Sequence, residues 1–320
     1  MLTESVVLGS GSHVYEVIEQ WGTMPEGVKY GYTHGVVVDS QDRIFVFNQS
    51  KDAVIIFDSE GSFVKSWGPL FQHGAHGMFL NRERDREYLY LTDYVRHVVV
   101  RTTLDGEICW TLDAPPLKEV YKKAEDYQPT NVALAPNGDF YVADGYGQTA
   151  SGDRENHGGW IHQYNSDANY IRSWGGKGSG PGRLNGPHGI WVDTRGATPV
   201  VVVADRSNHR IQTFTLGGSH IGFVYEGLRF PCHFDQRGDE LLVPDLHGQV
   251  TILDRNYKPI VHLGDNPGVW ERSDWPNIPP EERKSGAFIS PHAACWDSQG
   301  NIYVVEWISD GRVTKLRRIN

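Results

Sequence analysis

Cysteine is scarce in this 320-residue chain: Cys109, Cys232 and Cys295 are the only three. An odd, small number leaves at least one thiol unpaired and argues against a disulfide-stapled secreted fold, so a reducing, cytoplasmic setting is expected. Basic groups are also in deficit. Lys and Arg number 30 against 40 Asp and Glu, a net charge of −10, and no basic run forms the face that a nucleic-acid binder needs. No window approaches the roughly 18 uninterrupted apolar residues of a membrane helix. The opening MLTESVVLGSGSHVYEV lacks the basic and apolar regions of a secretory signal, so neither export nor membrane association is expected.

What is abundant points the other way. Gly stands at 36 and Pro at 17, and Trp, Tyr and Phe number 10, 15 and 12. Gly and Pro interrupt helices and large rings favour pleated surfaces, so a helical bundle is disfavoured and an all-β globular fold is expected. The segments GYTHGVVVDSQDRIFVFN, GAHGMFLNRERDREYLYLTD, QPTNVALAPNGDFYVAD, GPHGIWVDTRGATPVVVVAD, FPCHFDQRGDELLVPD and SPHAACWDSQGNIYVVE share one grammar. Each opens on a small residue or Pro with His or Asn following, runs through a short apolar strand, turns on polar residues, and returns as a strand ending in an acid or amide. That is a β-hairpin signature, repeated six times.

The repeated entry positions are His34, His76, Asn131, His188, His233 and His292, between 42 and 59 residues apart. Such a period suits four-stranded propeller blades, and strand-turn-strand segments such as AVIIFDSEGSFVKSWG supply the outer pairs. The sixth unit runs out at GRVTKLRRIN after three strands, while HVYEVIEQWG at the other end of the chain looks like a last strand with no hairpin before it. Residues 14 to 21 are therefore expected to complete blade six, removing an exposed edge. The expected fold is a single six-bladed β-propeller domain over residues 1–320, with blade entries near 34, 76, 131, 188, 233 and 292. The unit resembles the NHL repeat, in which a strand ending in Asp is followed by a basic residue on the next strand, as in VVVADRSNHRIQTF. That resemblance implies fold and leaves function open, because one fold hosts many activities.

Entry residues of innermost strands gather at one mouth of a propeller channel. The strand-terminal Asn48, Asp93, Asp144, Asp205, Asp245 and Glu306 are expected at the same end. Three insertions, at 111–127, 145–159 and 265–286, connect strands on that face and are read as a pocket wall. Five imidazoles facing one channel would repel if protonated and need partners if neutral, a difficulty that a shared metal removes. Alternate blades supply His76, His188 and His292, or His34, Asn131 and His233. The first set is complete, and three neutral imidazoles leave a position open, as in catalytic zinc sites. Zinc is the first choice, with iron, manganese and copper as other ions that accept imidazole. His34 and His233 are further candidates as ligands or proton carriers.

At residue level the chain resembles the peptidyl-hydroxyglycine amidating lyases, six-bladed propellers whose zinc is held by three histidines. The resemblance is carried by QPTNVALAPNGDFYVADGYG, PGRLNGPHGIWVD, VVVADRSNHRIQTF, AHGMF and SPHAACWDSQGNIYVVE. It implies Tyr146 as a catalytic tyrosine, Arg206 as an active-site arginine, and His76, His188 and His292 as ligands. The chain departs from that pattern at Gln49, where the lyases carry a catalytic arginine, and at Ala293, where they carry an acid; His34 and His233 lie outside it.

These readings converge on a metal-dependent lyase, or secondarily a hydrolase, acting on a small-molecule polar substrate. Tyr146 would move a proton and Arg206 would clamp a carboxylate or an oxyanion. His157, within the 145–159 insertion, is a weaker candidate. Two rivals are a calcium-dependent lactonase-like hydrolase, which needs oxygen ligands, and a non-catalytic interaction platform. Trp21, Trp67 and Trp174 recur at strand ends and are expected to pack between blades, whereas Trp270 and Trp275 are expected to form an aromatic wall.

Overall fold

The computed structural model describes residues 5–117, 120–121, 123–145 and 158–319. Its strands form six antiparallel sheets, the arrangement of a six-bladed β-propeller, and the only helical segments among the described residues are single 3₁₀ turns. No helix among these residues is long and apolar enough to cross a membrane. The chain divides into two compact units, Met1–Gln72 with Glu226–Asn320, and His73–Tyr225.

The first unit holds blades one, five and six. Blade one comprises Thr33–Val38, Ile44–Asn48, Val54–Phe57 and Phe63–Trp67; blade five comprises Asp235–Arg237, Glu240–Asp245, Gln249–Leu253 and Pro259–Leu263. Blade six is assembled from both ends of the sequence. Pro291–Trp296, Ile302–Glu306 and Arg312–Arg318 are joined by His13–Ile18, with Tyr15 opposite Arg318 and Ile18 opposite Lys315. The expected closure is present, and Val7–Ser10 adds a fifth strand that the repeat did not announce.

The second unit holds three four-stranded sheets. Blade two is Ala75–Glu83, Arg86–Asp93, Val98–Thr103 and Ile108–Leu112; blade three is Pro129–Leu134, Phe140–Asp144, Trp160–Tyr164 and Tyr170–Gly175; blade four is Pro187–Asp193, Val200–Asp205, Arg210–Thr215 and His220–Val224.

Within each unit the apolar core lies between successive blades. Strands such as Ile44–Asn48 are buried along their whole length, because both faces of each sheet are covered. Val36, Val46 and Phe57 of blade one pack against Ala293, Tyr303 and Val305 of blade six, with Trp21 wedged edge-on between Phe57 and Tyr303. In the second unit Trp174 does the same between Tyr141 of blade three and Phe214 of blade four. The inter-blade role expected of these two tryptophans is thus met. Ala293, where the lyases carry an acid, is fully buried in apolar contacts.

The six strand-terminal acids and amides turn out to be anchors. All are buried, at 0–1% exposure. In five blades the side chain accepts an amide from the loop that enters its own blade: Asn48 from Gly31, Asp144 from Gln128, Asp205 from Asn185, Asp245 from Arg229 and Phe230, and Glu306 from Ile289, at 2.7–3.0 Å. Asp93 of blade two instead accepts Val95 and Arg96 amides, and it lies so close to Gly74 that a Cβ there would stand 1.9 Å from its Oδ1. The basic residue on the next strand has a physical purpose: Arg210 pairs with Asp205 and Arg312 with Glu306, each neutralising a carboxylate taken out of water.

Another carboxylate spans two blades. Asp235 of blade five accepts the amide of Trp296 in blade six at 2.8 Å, and burial pushes its pKa up to about 6 from 3.8. A folded value above the unfolded one means that the stability contributed is complete below about pH 3.8 and declines as pH rises toward 6. Asp235→Asn retains the acceptor without the charge. At pH 7 it is expected to exceed the wild type in stability by up to about 2 kcal/mol, allowing for the partial exposure of the group, with the gap closing below about pH 4 in urea titrations. Glu306→Ala, which strands the buried Arg312, is expected to cost about 3–5 kcal/mol in the same assay.

Candidate functional site

Every blade begins with the same irregularity. In five blades the terminal residue of the second strand pairs with the residue opening the first: Thr33 with Asn48, Ala75 with Asp93, Pro129 with Asp144, Pro187 with Asp205 and Pro291 with Glu306; in blade five the equivalent bridge, Pro231 with Asp245, precedes the first strand. The ladder then gains one residue on the first strand before regular pairing resumes. Such a bulge re-aims the side chain that follows the paired residue. The six structurally equivalent residues are therefore His34, His76, Thr130, His188, Cys232 and His292. This corrects the expected register at two places, since Asn131 and His233 stand one residue beyond the equivalent position. The signal was present in the sequence: PTN, PHG, PCH and PHA align on proline, not on histidine.

The histidines are nearly inaccessible, at 1% for His34, 0% for His76, 2% for His188 and 4% for His292. In the first unit His292 Nδ1 donates to the carbonyl of His34 at 2.7 Å, while His34 Nδ1 lies 3.2 Å from His292 Nε2. In the second unit His76 Nδ1 donates to the carbonyl of Thr130 at 2.7 Å, and the rings of His76 and His188 meet edge to face at 4.6 Å. A carbonyl oxygen can only accept, so the neutral forms of His76 and His292 carry their proton on Nδ1 and their lone pair on Nε2. In both units the carbonyl belongs to the equivalent residue of the next blade. Metal-binding histidines are held in this way, by a hydrogen bond from the ring nitrogen that does not ligate.

His233 is also buried, and burial lowers its pKa to about 4, keeping it neutral. Its Nδ1 has no hydrogen-bond partner among the described residues. Beside it, the thiol of Cys232 is free of any disulfide and lies within 4.8 Å of a ring nitrogen of His292. Arg206 is buried at the start of the 3₁₀ turn Arg206–Asn208, directly after Asp205, whose ion-pair partner is Arg210. Tyr146 and His157 lie outside the described residues.

Two further constellations escaped sequence reading. In blade three, Tyr121 from the 111–127 insertion donates to Asp144 Oδ2, so its oxygen accepts from His162 Nε2 at 2.8 Å, and His162 Nδ1 accepts from Ser173 Oγ at 2.7 Å. Burial first, and the Asp144 carboxylate second, push the phenol far above its usual range and keep it protonated. In the first unit half-buried rings run in a continuous strip: Tyr32 on Trp307, Trp307 on Trp275, Trp275 on His247, and His247 stacked between Phe230 and Trp270, with centroids 4.6–6.1 Å apart. These rings flank the blade entries and the strand-terminal anchors, at the same ends of the blades as His34 and His292. Trp275 is fixed by its Nε1 bond to the Ile289 carbonyl. Trp270 and Trp275 thus form the expected aromatic wall, with four partners that periodicity could not assign.

No protein-family model matches the sequence. The chain is similar to NHL repeat-containing protein 3 of Homo sapiens, 26% identical over 248 residues that cover 73% of this chain and 67% of that protein. It is also similar to NHL repeat-containing protein 3 of Mus musculus, 26% identical over 200 residues covering 59% and 54% respectively. It therefore spans between about half and two thirds of these relatives. Among solved structures it is similar to a virginiamycin B lyase from Staphylococcus aureus, with a TM-score of 0.57 at 15% identity over 95% of this chain and 100% of that one. A gluconolactonase from Xanthomonas campestris gives a TM-score of 0.62 at 13% identity over 94% and 90%. At these identities the likeness is one of fold, and the NHL-repeat resemblance read from the sequence is supported by the relatives.

The blade-three network yields a direct expectation. Tyr121→Phe leaves the buried Asp144 and His162 each short of a partner and is expected to lower stability by about 2–3 kcal/mol, read from the urea midpoint.

Proposed function

We propose that this chain is a metal-dependent enzyme acting on a small polar molecule, a lyase in the first place and a hydrolase in the second. A divalent ion, zinc before iron, manganese or copper, is held by His76, His188 and His292, with His34 as a proton carrier. The observation that carries this reading is the tethering of His76 and His292 through Nδ1 to neighbouring carbonyls, which leaves Nε2 as the ring nitrogen that carries the lone pair. Thr130 breaks the histidine series in blade three, and His233 stands off register, so the ligand set does not depend on it.

When bound, such an ion supplies a Lewis acid with an open coordination position. Calcium is disfavoured, because a hard ion seeks carboxylates and carbonyls, and the carboxylates at these blade ends are committed to amides and arginines. In this reading Tyr146 moves the proton and Arg206 clamps substrate carboxylate or oxyanion. The aromatic strip excludes water and offers flat apolar contact to part of the substrate. Solved structures of similar fold include a lyase and a lactonase, which agrees with an enzymatic role.

Elemental analysis after reconstitution with zinc is expected to find stoichiometric metal in the wild type and little in the variant combining His76→Ala, His188→Ala and His292→Ala. Wild type without metal, or a triple variant that binds it equally well, would sink the site. In a mass-spectrometric metabolite screen, Tyr146→Phe is expected to slow turnover of the wild-type substrate by at least about 100-fold. Equal turnover by the two proteins would remove Tyr146 from the mechanism.

A further inference from the structure

We infer that Cys232 is a thiolate ligand of the same site, together with His292, and that this thiolate makes the site selective for a soft ion of the zinc type. The inference rests on the metal reading above and adds a ligand and a selectivity to it.

Position is the first argument. Pro231 pairs with Asp245 as Pro291 pairs with Glu306, so Cys232 occupies in blade five the bulged place that His292 occupies in blade six. Its backbone is fixed there by an amide bond to the Pro244 carbonyl at 2.9 Å. Proximity is the second. The thiol sulfur and a ligand nitrogen of His292 lie within 4.8 Å, inside the span that two ligands of one ion can close.

The other cysteines supply the contrast. Cys295 is packed in the apolar contact between blades six and one, where burial raises its pKa well above the ordinary value and keeps it a thiol. Cys109 is exposed on the outermost strand of blade two. Of the three, Cys232 alone sits among imidazoles. Binding exchanges the S–H bond for a sulfur–metal bond and releases the proton to solvent, with no change of oxidation state. Thiolate and imidazole together suit zinc, cobalt(II) or copper(I), and disfavour magnesium, calcium and manganese.

The test uses full-length protein reconstituted with cobalt(II) in place of zinc and followed by absorption. Wild type is expected to show visible ligand-field bands together with a near-ultraviolet thiolate-to-cobalt charge-transfer band. Cys232→Ser is expected to lose the ultraviolet band, and its zinc affinity to fall by more than the about 10- to 100-fold that loss of an outer partner costs. Should Cys232→Ser fail to fold, the double variant Cys109→Ala, Cys295→Ala, whose only thiol is Cys232, is expected to retain the band. Ligand-field bands without a thiolate band in the wild type, or a band that survives Cys232→Ser or disappears from the double variant, would overturn the thiolate assignment while leaving the histidine site standing. Failure of the wild type to bind cobalt or zinc at all would overturn both.

Discussion

The constraint on which the structure most depends is the buried acid or amide at the end of each second strand. In a wholly buried strand pair, the loop that enters the blade brings backbone amides with no strand partner, and a buried amide without an acceptor costs as much as a lost hydrogen bond. Asn48, Asp144, Asp205, Asp245 and Glu306 provide that acceptor. At Asp205 and Glu306, both fully enclosed, an arginine from the third strand pairs with the carboxylate and offsets the desolvation. Geometry follows from this chemistry. With the entry residue held opposite the acid, the extra residue of the first strand must be accommodated immediately afterwards, and the bulge falls at the same place in every blade.

The bulge in turn explains the state of the histidines. A regular ladder would use up the backbone carbonyl of the equivalent residue, whereas here the carbonyls of His34 and Thr130 accept from imidazoles instead. One hydrogen bond thereby sets the tautomer and the ring orientation together. In blades two and six local backbone irregularity is thus converted into the same chemical presentation, an imidazole tethered through Nδ1.

Much of this was legible in the sequence, for reasons that also mark the limits. Hairpins announced themselves because glycine-bearing turns and alternating strands are local signals, and blade closure by the N-terminal strand followed from counting strands in the last unit. Register was harder. Histidine is the conspicuous letter, so the sequence pattern of FPCHFDQ points to His233, although the residue that pairs with the anchoring acid is Pro231. The strand-terminal acids were read as part of a channel mouth, but pattern does not reveal which loop amides a carboxylate will meet. Tyr121 and the rings of Tyr32, Phe230 and Trp307 could not be assigned because each acts through partners distant in sequence. Val7–Ser10 carries no repeat signature, being an extension of one sheet and not a member of the periodic set.

Blade six has a further consequence, one of timing. Glu16 and Arg317 pair across 301 positions of sequence, so the sheet that contains them waits for the last strand to leave the ribosome. Until then His13–Ile18 has no neighbour from the C-terminal strands, and the edge of Ile302–Glu306 stays open. Long-range pairing of this kind closes a very long loop and is slow to find. During synthesis the early strand is therefore an unpaired edge, the type of surface on which chains associate wrongly. The same joint that seals the finished sheet makes folding a matter of holding an early strand in reserve for a late one.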